Sequence, residues 1–265
     1  MRRMISTATV LFLAVPAAAT DGGFDAGLLI SDYDYAEQVD GADVVMDGGT
    51  LFGMSLGYTE TLSRGLFLRI EADGMTGEVD YESDGDRLEG AQQSIGDVRL
   101  LGGVDVTAGR STLTLMTGYG VRRLEDESGG LPTSSGLVGY DRTITYRYMP
   151  LAATLALPLG KRGTVELAGE YRLFLDGESD NDFSDVFEGA PDLSFDLDGG
   201  SGWRIAARAV VPLGNRHIAI GPFFERWDVD ASEERTFSDP DEGDLTLFEP
   251  ESRSERLGLS FALRF

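Results

Sequence analysis

After residue 20 this chain never runs apolar for long enough to make a membrane-crossing helix, yet its apolar residues recur with a period of two. The last segment shows the pattern best. Leu257, Leu259, Phe261, Leu263 and Phe265 fall on one face of an extended strand, and Arg256, Gly258, Ser260, Ala262 and Arg264 fall on the other. One face suits lipid and the other a polar interior. A soluble sandwich strand can alternate in the same way, so the arrangement in which the pattern returns decides its meaning.

It returns in ten segments, near 24–31, 50–62, 66–73, 94–106, 112–122, 143–158, 164–175, 202–212, 217–228 and 253–265. Most reach the roughly 9–11 residues that a tilted strand needs to cross a bilayer. Their connections alternate between short and long. Ser63-Arg64-Gly65, Gly109-Arg110, Gly160 to Gly163 and Gly214-Asn215 have the composition of hairpin turns. The other five, at 32–49, 73–90, 122–142, 176–200 and 228–251, are long and hold 36 of the 46 carboxylates. The short turns carry Arg64, Arg110, Lys161, Arg162 and Arg216, so the two rims differ in sign. Short turns on one side and long loops on the other are expected of an outer-membrane barrel and have no reason to appear in a sandwich.

The N-terminus supports export. Arg2 and Arg3 precede an apolar run through Leu11, Phe12, Leu13 and Val15, and Ala17-Ala18-Ala19 follows as a small-residue cleavage site. Residues 1–19 therefore read as a secretory signal peptide and 20–265 as the mature barrel. The chain has no Cys, so the exported domain is expected to hold together without disulfides. A formal net charge of −24 makes nucleic acid a poor partner.

The apolar faces run through Phe52, Met54, Leu56 and Tyr58, then Leu66, Leu68, Ile70 and Ala72, then Leu113, Leu115, Tyr119 and Val121. Tyr58, Tyr119, Tyr148, Tyr171, Trp203 and Trp227 are expected in an aromatic girdle toward the loop ends. With the leader, the alternating strands and the terminal Leu259, Phe261, Leu263 and Phe265, the chain resembles a small Gram-negative outer-membrane β-barrel protein. The resemblance implies outer-membrane localisation and assembly by the barrel-insertion machinery through that last strand. The expected fold is all-β: a transmembrane, antiparallel, up-and-down barrel of ten strands with both termini periplasmic. Eight or twelve strands stay open, because the first and sixth segments are the least regular.

A ten-stranded barrel is narrow enough for side chains to fill, so the inward residues decide whether it conducts. Glu166, Glu170 and Arg172 point inward on the seventh strand, Arg204 and Arg208 on the eighth, and Glu225 on the ninth. One register of strands seven and eight sets Glu166 opposite Arg208 and Glu170 opposite Arg204. A two-residue turn at Gly214-Asn215 puts Glu225 opposite Arg204, which becomes the expected hub. The Gly109-Arg110 turn puts Asp97 opposite Arg122, with Arg99 beside them. Paired charges suit an occluded, salt-bridged lumen, whereas the competing reading is a wet pore. Around Tyr146-Arg147-Tyr148-Met149-Pro150 both faces are apolar, and Pro150 marks a candidate bulge.

Enzymatic chemistry is poorly served. Barrels resembling omptin proteases, lipid A deacylases or the outer-membrane phospholipase would need a catalytic His near the outer rim or the membrane-facing surface. The single His, His217, follows a short turn with no evident Ser or acidic partner, and the single Lys, Lys161, sits in another. Asp176, Glu178, Asp180 and Asp182 space carboxylates that could gather weakly bound Ca²⁺ or Mg²⁺, but they lack the EF-hand pattern. No other cofactor is expected. The partners expected are outer-membrane lipid and lipopolysaccharide, the latter bridged by divalent cations, and the barrel is expected to be a monomer. The leading functional reading is a structural or surface-interaction barrel with acidic extracellular loops. A narrow, cation-preferring, porin-like channel is the alternative, and an outer-membrane enzyme a minor one.

Overall fold

The computed structural model describes residues 23–63, 65–160, 162–185, 191–239 and 243–265. The leader expected at 1–19 and the rim residues Arg64 and Lys161 lie outside the described residues. In chain order the strands are β1 (Gly23–Val39), β2 (Ala42–Ser63), β3 (Leu66–Ser83), β4 (Asp86–Ala108), β5 (Ser111–Glu127), β6 (Asp141–Pro158), β7 (Thr164–Asn181), β8 (Leu193–Leu197), β9 (Gly200–Leu213), β10 (Arg216–Val229), β11 (Arg235–Asp239), β12 (Gly243–Leu247) and β13 (Glu251–Arg264).

Neighbours pair antiparallel from β1 to β7, then β7 with β9, β9 with β10, β10 with β13, and β13 with β1. Short β8 continues the line of β9 along the far end of β7, so the two make one stave and the closed barrel has ten. The seam runs from Asp25 opposite Arg264 to Gln38 opposite Glu251, and Phe265 N–H donates to Phe24 O at 2.9 Å. β11 and β12 form a separate hairpin. Arg235 lays it against β8 through Ser194 O and Asp196, each at 2.6 Å.

The expected loops at 32–49 and 73–90 prove to be mostly strand. β1 and β2 continue to a two-residue turn at Asp40-Gly41, and β3 and β4 to one at Asp84-Gly85. Both residues of each turn have positive φ, 53° and 76° in the first and 47° and 81° in the second, as a type I′ hairpin turn requires. Asp-Gly supplies that conformation at low steric cost.

The period of two also continues into these extensions, with its sense reversed. Nearer the short turns, apolar side chains such as Leu28, Phe52, Leu68, Leu100, Ile220 and Leu259 face outward and are exposed. Toward the loop end the outward positions become Asp32, Asp34, Thr50, Thr76, Glu78 and Asp80, while Tyr33, Tyr35, Leu51, Val79, Leu124 and Ile144 are buried inward. An apolar belt of this extent belongs in lipid, and the polar skin above it belongs in water.

β6 keeps one inward face through Ile144, Tyr146 and Tyr148, and Pro150 changes nothing. The bulge lies across from it in β7. Arg147 pairs with Asp176 but Tyr148 with Phe174, which leaves Leu175 as the extra residue. The inward set of β7 consequently shifts from Glu166, Glu170 and Arg172 to Gly177, Ser179 and Asn181.

Candidate functional site

The lumen is filled in layers. At the loop end Tyr33, Tyr35, Leu51, Met75, Ile95, Tyr146, Tyr148, Phe223 and Trp227 belong to one apolar cluster. Trp227 sits at its centre, 5.1 Å from Tyr148 in an edge-on contact and 5.4 Å from Tyr146. Tyr148 and Trp227 therefore do not join the aromatic girdle, being 0% and 1% exposed. Their position along the strand suggests the girdle, but each shares the inward parity of its neighbours, Glu225 in the case of Trp227. Gly120 and Gly202 provide the space, since a Cβ on either would meet the Tyr148 or Trp227 ring at 2.4 or 2.7 Å. Tyr119 and Tyr171 face outward, whereas Tyr58 lies outward at the short-turn end, opposite Phe24 and Ile70.

Beneath the rings is a belt of buried charge. Cross-strand registers place Glu166 opposite Arg208, Glu170 opposite Arg204, Glu225 opposite Arg204, and Asp97 opposite Arg122. The ion pairs are not all made with those opposite partners. Glu225 is the hub: Arg122 reaches it at 2.6 Å from across the barrel, Arg172 at 2.9 Å, and Arg256 donates from Nε at 2.9 Å and again from Nη2. Arg204 stands 3.7 Å from Glu225 and instead covers the Phe223 ring at 4.6 Å. Glu170 is held by Arg99 at 2.7 Å and Arg172 at 2.6 Å. The Tyr148 hydroxyl donates to Asp97 at 2.8 Å, and the guanidinium of Arg172 lies against the rings of both Tyr148 and Trp227 at 5.2 Å. The belt is therefore bonded to the aromatic layer above it.

Lower down, Arg69 joins Asp25 and Glu71, each at 2.6 Å, and Arg264 grips Glu166 with two bonds of 2.6 and 2.8 Å. Asp25, Arg69, Glu71, Arg256 and Arg264 fall outside the expected network; Arg69 meets Asp25 and Arg264 meets Glu166 across intervening staves, but Arg256 lies directly opposite Glu225, Glu71 opposite Arg99 and Asp25 opposite Arg264. Their signal is present all the same, as each is a charge on the lumen face of a strand whose other face is apolar.

Above the belt, outside the apolar band, a second cluster surrounds Arg142, which pairs with Glu37 and, at 3.3 Å, with Glu249. Asp47 and Asp126 share a small cavity with Arg142, Tyr35 and Gln93. Burial raises the Asp47 carboxyl to about 7; Arg142 opposes the rise, and Asp126 and Glu37 add to it. Burial raises Asp126 and Glu249 in the same direction, again against Arg142.

Asp176, Glu178 and Asp180 lie along the polar outer face of β7. Asp176 pairs with Arg147, Glu178 accepts from Ser194 at 2.9 Å, and Asp182 N–H donates to Asp141 O. Among the described residues no group of three or more His, Asp or Glu side chains is placed to hold a metal ion. His217 is exposed beside the short turn, opposite Pro212 and Arg264. Leu259 and Phe261 face outward and exposed on β13, Leu263 shares that face, and Phe265 just beyond the strand is exposed as well.

No known protein family matches the sequence, and no curated protein does. Solved structures do. The outer membrane protease OmpT from Escherichia coli superposes with a TM-score of 0.63 over 92% of this chain and 96% of that one, at 10% identity. OprG from Pseudomonas aeruginosa aligns with a TM-score of 0.43 at 12% identity, over 91% and 94% of the two chains. The Pseudomonas putida toluene transporter TodX aligns with a TM-score of 0.40 at 8% identity, over 93% and 90%. The superposition on OmpT, with the closed seam and the apolar belt, gives this chain the fold of a ten-stranded outer-membrane β-barrel.

Proposed function

We propose that this protein is a non-conducting outer-membrane barrel with a structural or surface-interaction role. The observation that carries the reading is the double barrier across the lumen, the Trp227 and Tyr148 ring layer bonded to the Glu225, Arg122, Arg172 and Arg256 belt beneath it. A conducting pore needs a continuous polar path wide enough for a hydrated ion, and side chains 0–1% exposed leave none at this level. In this reading the short turns and both termini face the periplasm, and the acidic hairpins stand outside the cell as a monomer's contact surface. Divalent cations bridge those carboxylates to lipopolysaccharide phosphates, and the last strand is the segment that the assembly machinery engages. Catalytic turnover is not part of the proposal. The likeness to a protease is one of fold, and His217 stands exposed at the turn end, away from the acidic rim.

Planar-bilayer recording on the refolded barrel tests this. A silent bilayer with insertion verified by protease protection is the expected result, whereas steady, cation-selective steps at high salt would replace the reading with that of a narrow channel.

A further inference from the structure

The turn-side half of the lumen is built differently from the plugged half. Small residues line it on at least five staves: Ser55 and Gly57 on β2, Ala152 on β6, Ala168 on β7, Ala206 on β9 directly opposite Ala168, and Ser260 and Ala262 on β13. They leave a chamber of about 130 Å³ beneath the charged belt, continued toward the turn rim by a wider mouth of about 320 Å³ beside Phe67, Glu166, Arg264 and Phe265. A lumen that needed only filling would carry large side chains here, as it does at the other end.

Two arginines face this space with only long ion pairs. Arg204 and Arg208 lie on the same face of β9, either side of Ala206, and both line the chamber. Among the described residues, neither makes a side-chain hydrogen bond, and Arg208 Nε is buried with no partner. The carboxylate oxygens nearest them are shared with other arginines: Glu225 Oε2, 3.7 Å from Arg204, lies 2.9 Å from Arg172, and Glu166 Oε2, 3.9 Å from Arg208, accepts from Arg264 at 2.8 Å. Asp25, Glu71 and Glu170 around the chamber are likewise paired with Arg69, Arg99, Arg172 or Arg264, while Asp73, also on its wall, stands 4.0 Å from Arg256 with Oδ2 buried and not hydrogen-bonded. In a chain of strongly negative net charge, these are two lumen arginines that, among the described residues, make no side-chain hydrogen bond of their own.

We propose that the chamber is a binding site for a small oxyanion, a phosphate or carboxylate group, held between the guanidinium forks of Arg204 and Arg208 and entering from the turn rim. A guanidinium presents parallel N–H donors that match two oxygens of such a group, and buried donors left unmade are costly. Chamber size sets the ligand class. About 130 Å³ is below the roughly 300–1,000 Å³ of pockets that take drug-sized molecules, so the chamber accepts a small anion or one anionic group of a larger molecule whose remainder lies in the mouth. The site lies on the opposite side of the plug from the acidic loops and does not depend on whether the plug conducts.

The test is calorimetric titration of inorganic phosphate into the full barrel in non-ionic detergent, against sodium chloride of matched ionic strength. Saturable, one-site binding in the millimolar range or tighter is expected. Arg204→Gln with Arg208→Gln should weaken it at least tenfold, and Arg123→Gln on the outer surface should leave it unchanged. Because the double variant removes lumen charge and could fail to fold, Ala168→Leu serves as a second probe, since it fills the chamber while keeping every arginine and should abolish binding. No saturable heat, or binding that survives both Ala168→Leu and the double variant, overturns the proposal and leaves a chamber occupied by water alone.

Discussion

At the scale of single residues, the belt shows why the identity of a hub cannot be taken from strand register. Arg204 is opposite both Glu170 and Glu225, yet its contribution is small because the shorter bonds of Glu225 go to Arg122, Arg172 and Arg256. Glu225→Ala leaves three buried guanidinium groups without their shared carboxylate and should destabilise the barrel by about 3–5 kcal/mol, or block refolding altogether. Arg204→Ala should change stability by about 1 kcal/mol or less. Urea-gradient refolding of both variants checks the order, and equal effects would restore Arg204 as the hub. Asp47 makes a separate prediction about pH. Its folded value of about 7 lies above the ordinary 3.8, so between those values the folded state binds more proton than the unfolded one, and stability falls as pH rises through that window. Asp47→Asn removes this residue's share of the slope and leaves that of Asp126 and Glu249, whose carboxyls are raised in the same direction. Unfolding at pH 4 and pH 8 should show the variant equal to the parent at the lower pH and more stable by a few kcal/mol at the higher, on the order set by about 1.4 kcal/mol per pH unit. A parent whose stability is flat from pH 4 to 8 would contradict this account of the cavity.

At the scale of elements, the ten staves and the closed antiparallel order were legible, because alternating faces and tight turns leave little freedom. Register was legible for the same reason at Gly109-Arg110 and Gly214-Asn215. Strand length was not. The segment 32–49 looks like an acidic loop only if apolar residues are expected on the outer face throughout; Tyr33 and Tyr35 carry the alternation on the inner face instead, and Asp40-Gly41 is a hairpin signal in plain view. The long-range ion pairs were out of reach, since Arg122 and Glu225 are joined across the lumen rather than along a ladder. Residues 128–140, between β5 and β6, do form a loop, and Asp86 ties it to the β3–β4 hairpin. That carboxylate accepts from the Ser134 hydroxyl at 2.6 Å and from the Ser135 amide at 2.9 Å and hydroxyl at 2.7 Å, and these bonds hold it well below the usual carboxylate range. Asp86→Ala should raise amide exchange in 128–140 while leaving the melting temperature of the barrel unchanged; unaltered exchange would show the loop to be held by its backbone bonds alone.

At the scale of the whole molecule, the lumen changes character along its axis: apolar and aromatic toward the loops, ionic at the belt, hollow toward the turns. The cross-section proposed to bar conduction also lies above the chamber, so on that reading an occupant of Arg204 and Arg208 would exchange only through the turn rim. The seam has a further consequence, for the order of events in folding. β1 is hydrogen-bonded along its whole length to β13, the first stave to the last, so every shorter chain emerging from synthesis carries two unpaired strand edges and no closed wall. The hub inherits the same delay, because Arg256 reaches Glu225 from β13. Closure of the wall is therefore a late event, completed only when β13 zips against β1, and until then both edge strands stand open to wrong pairing.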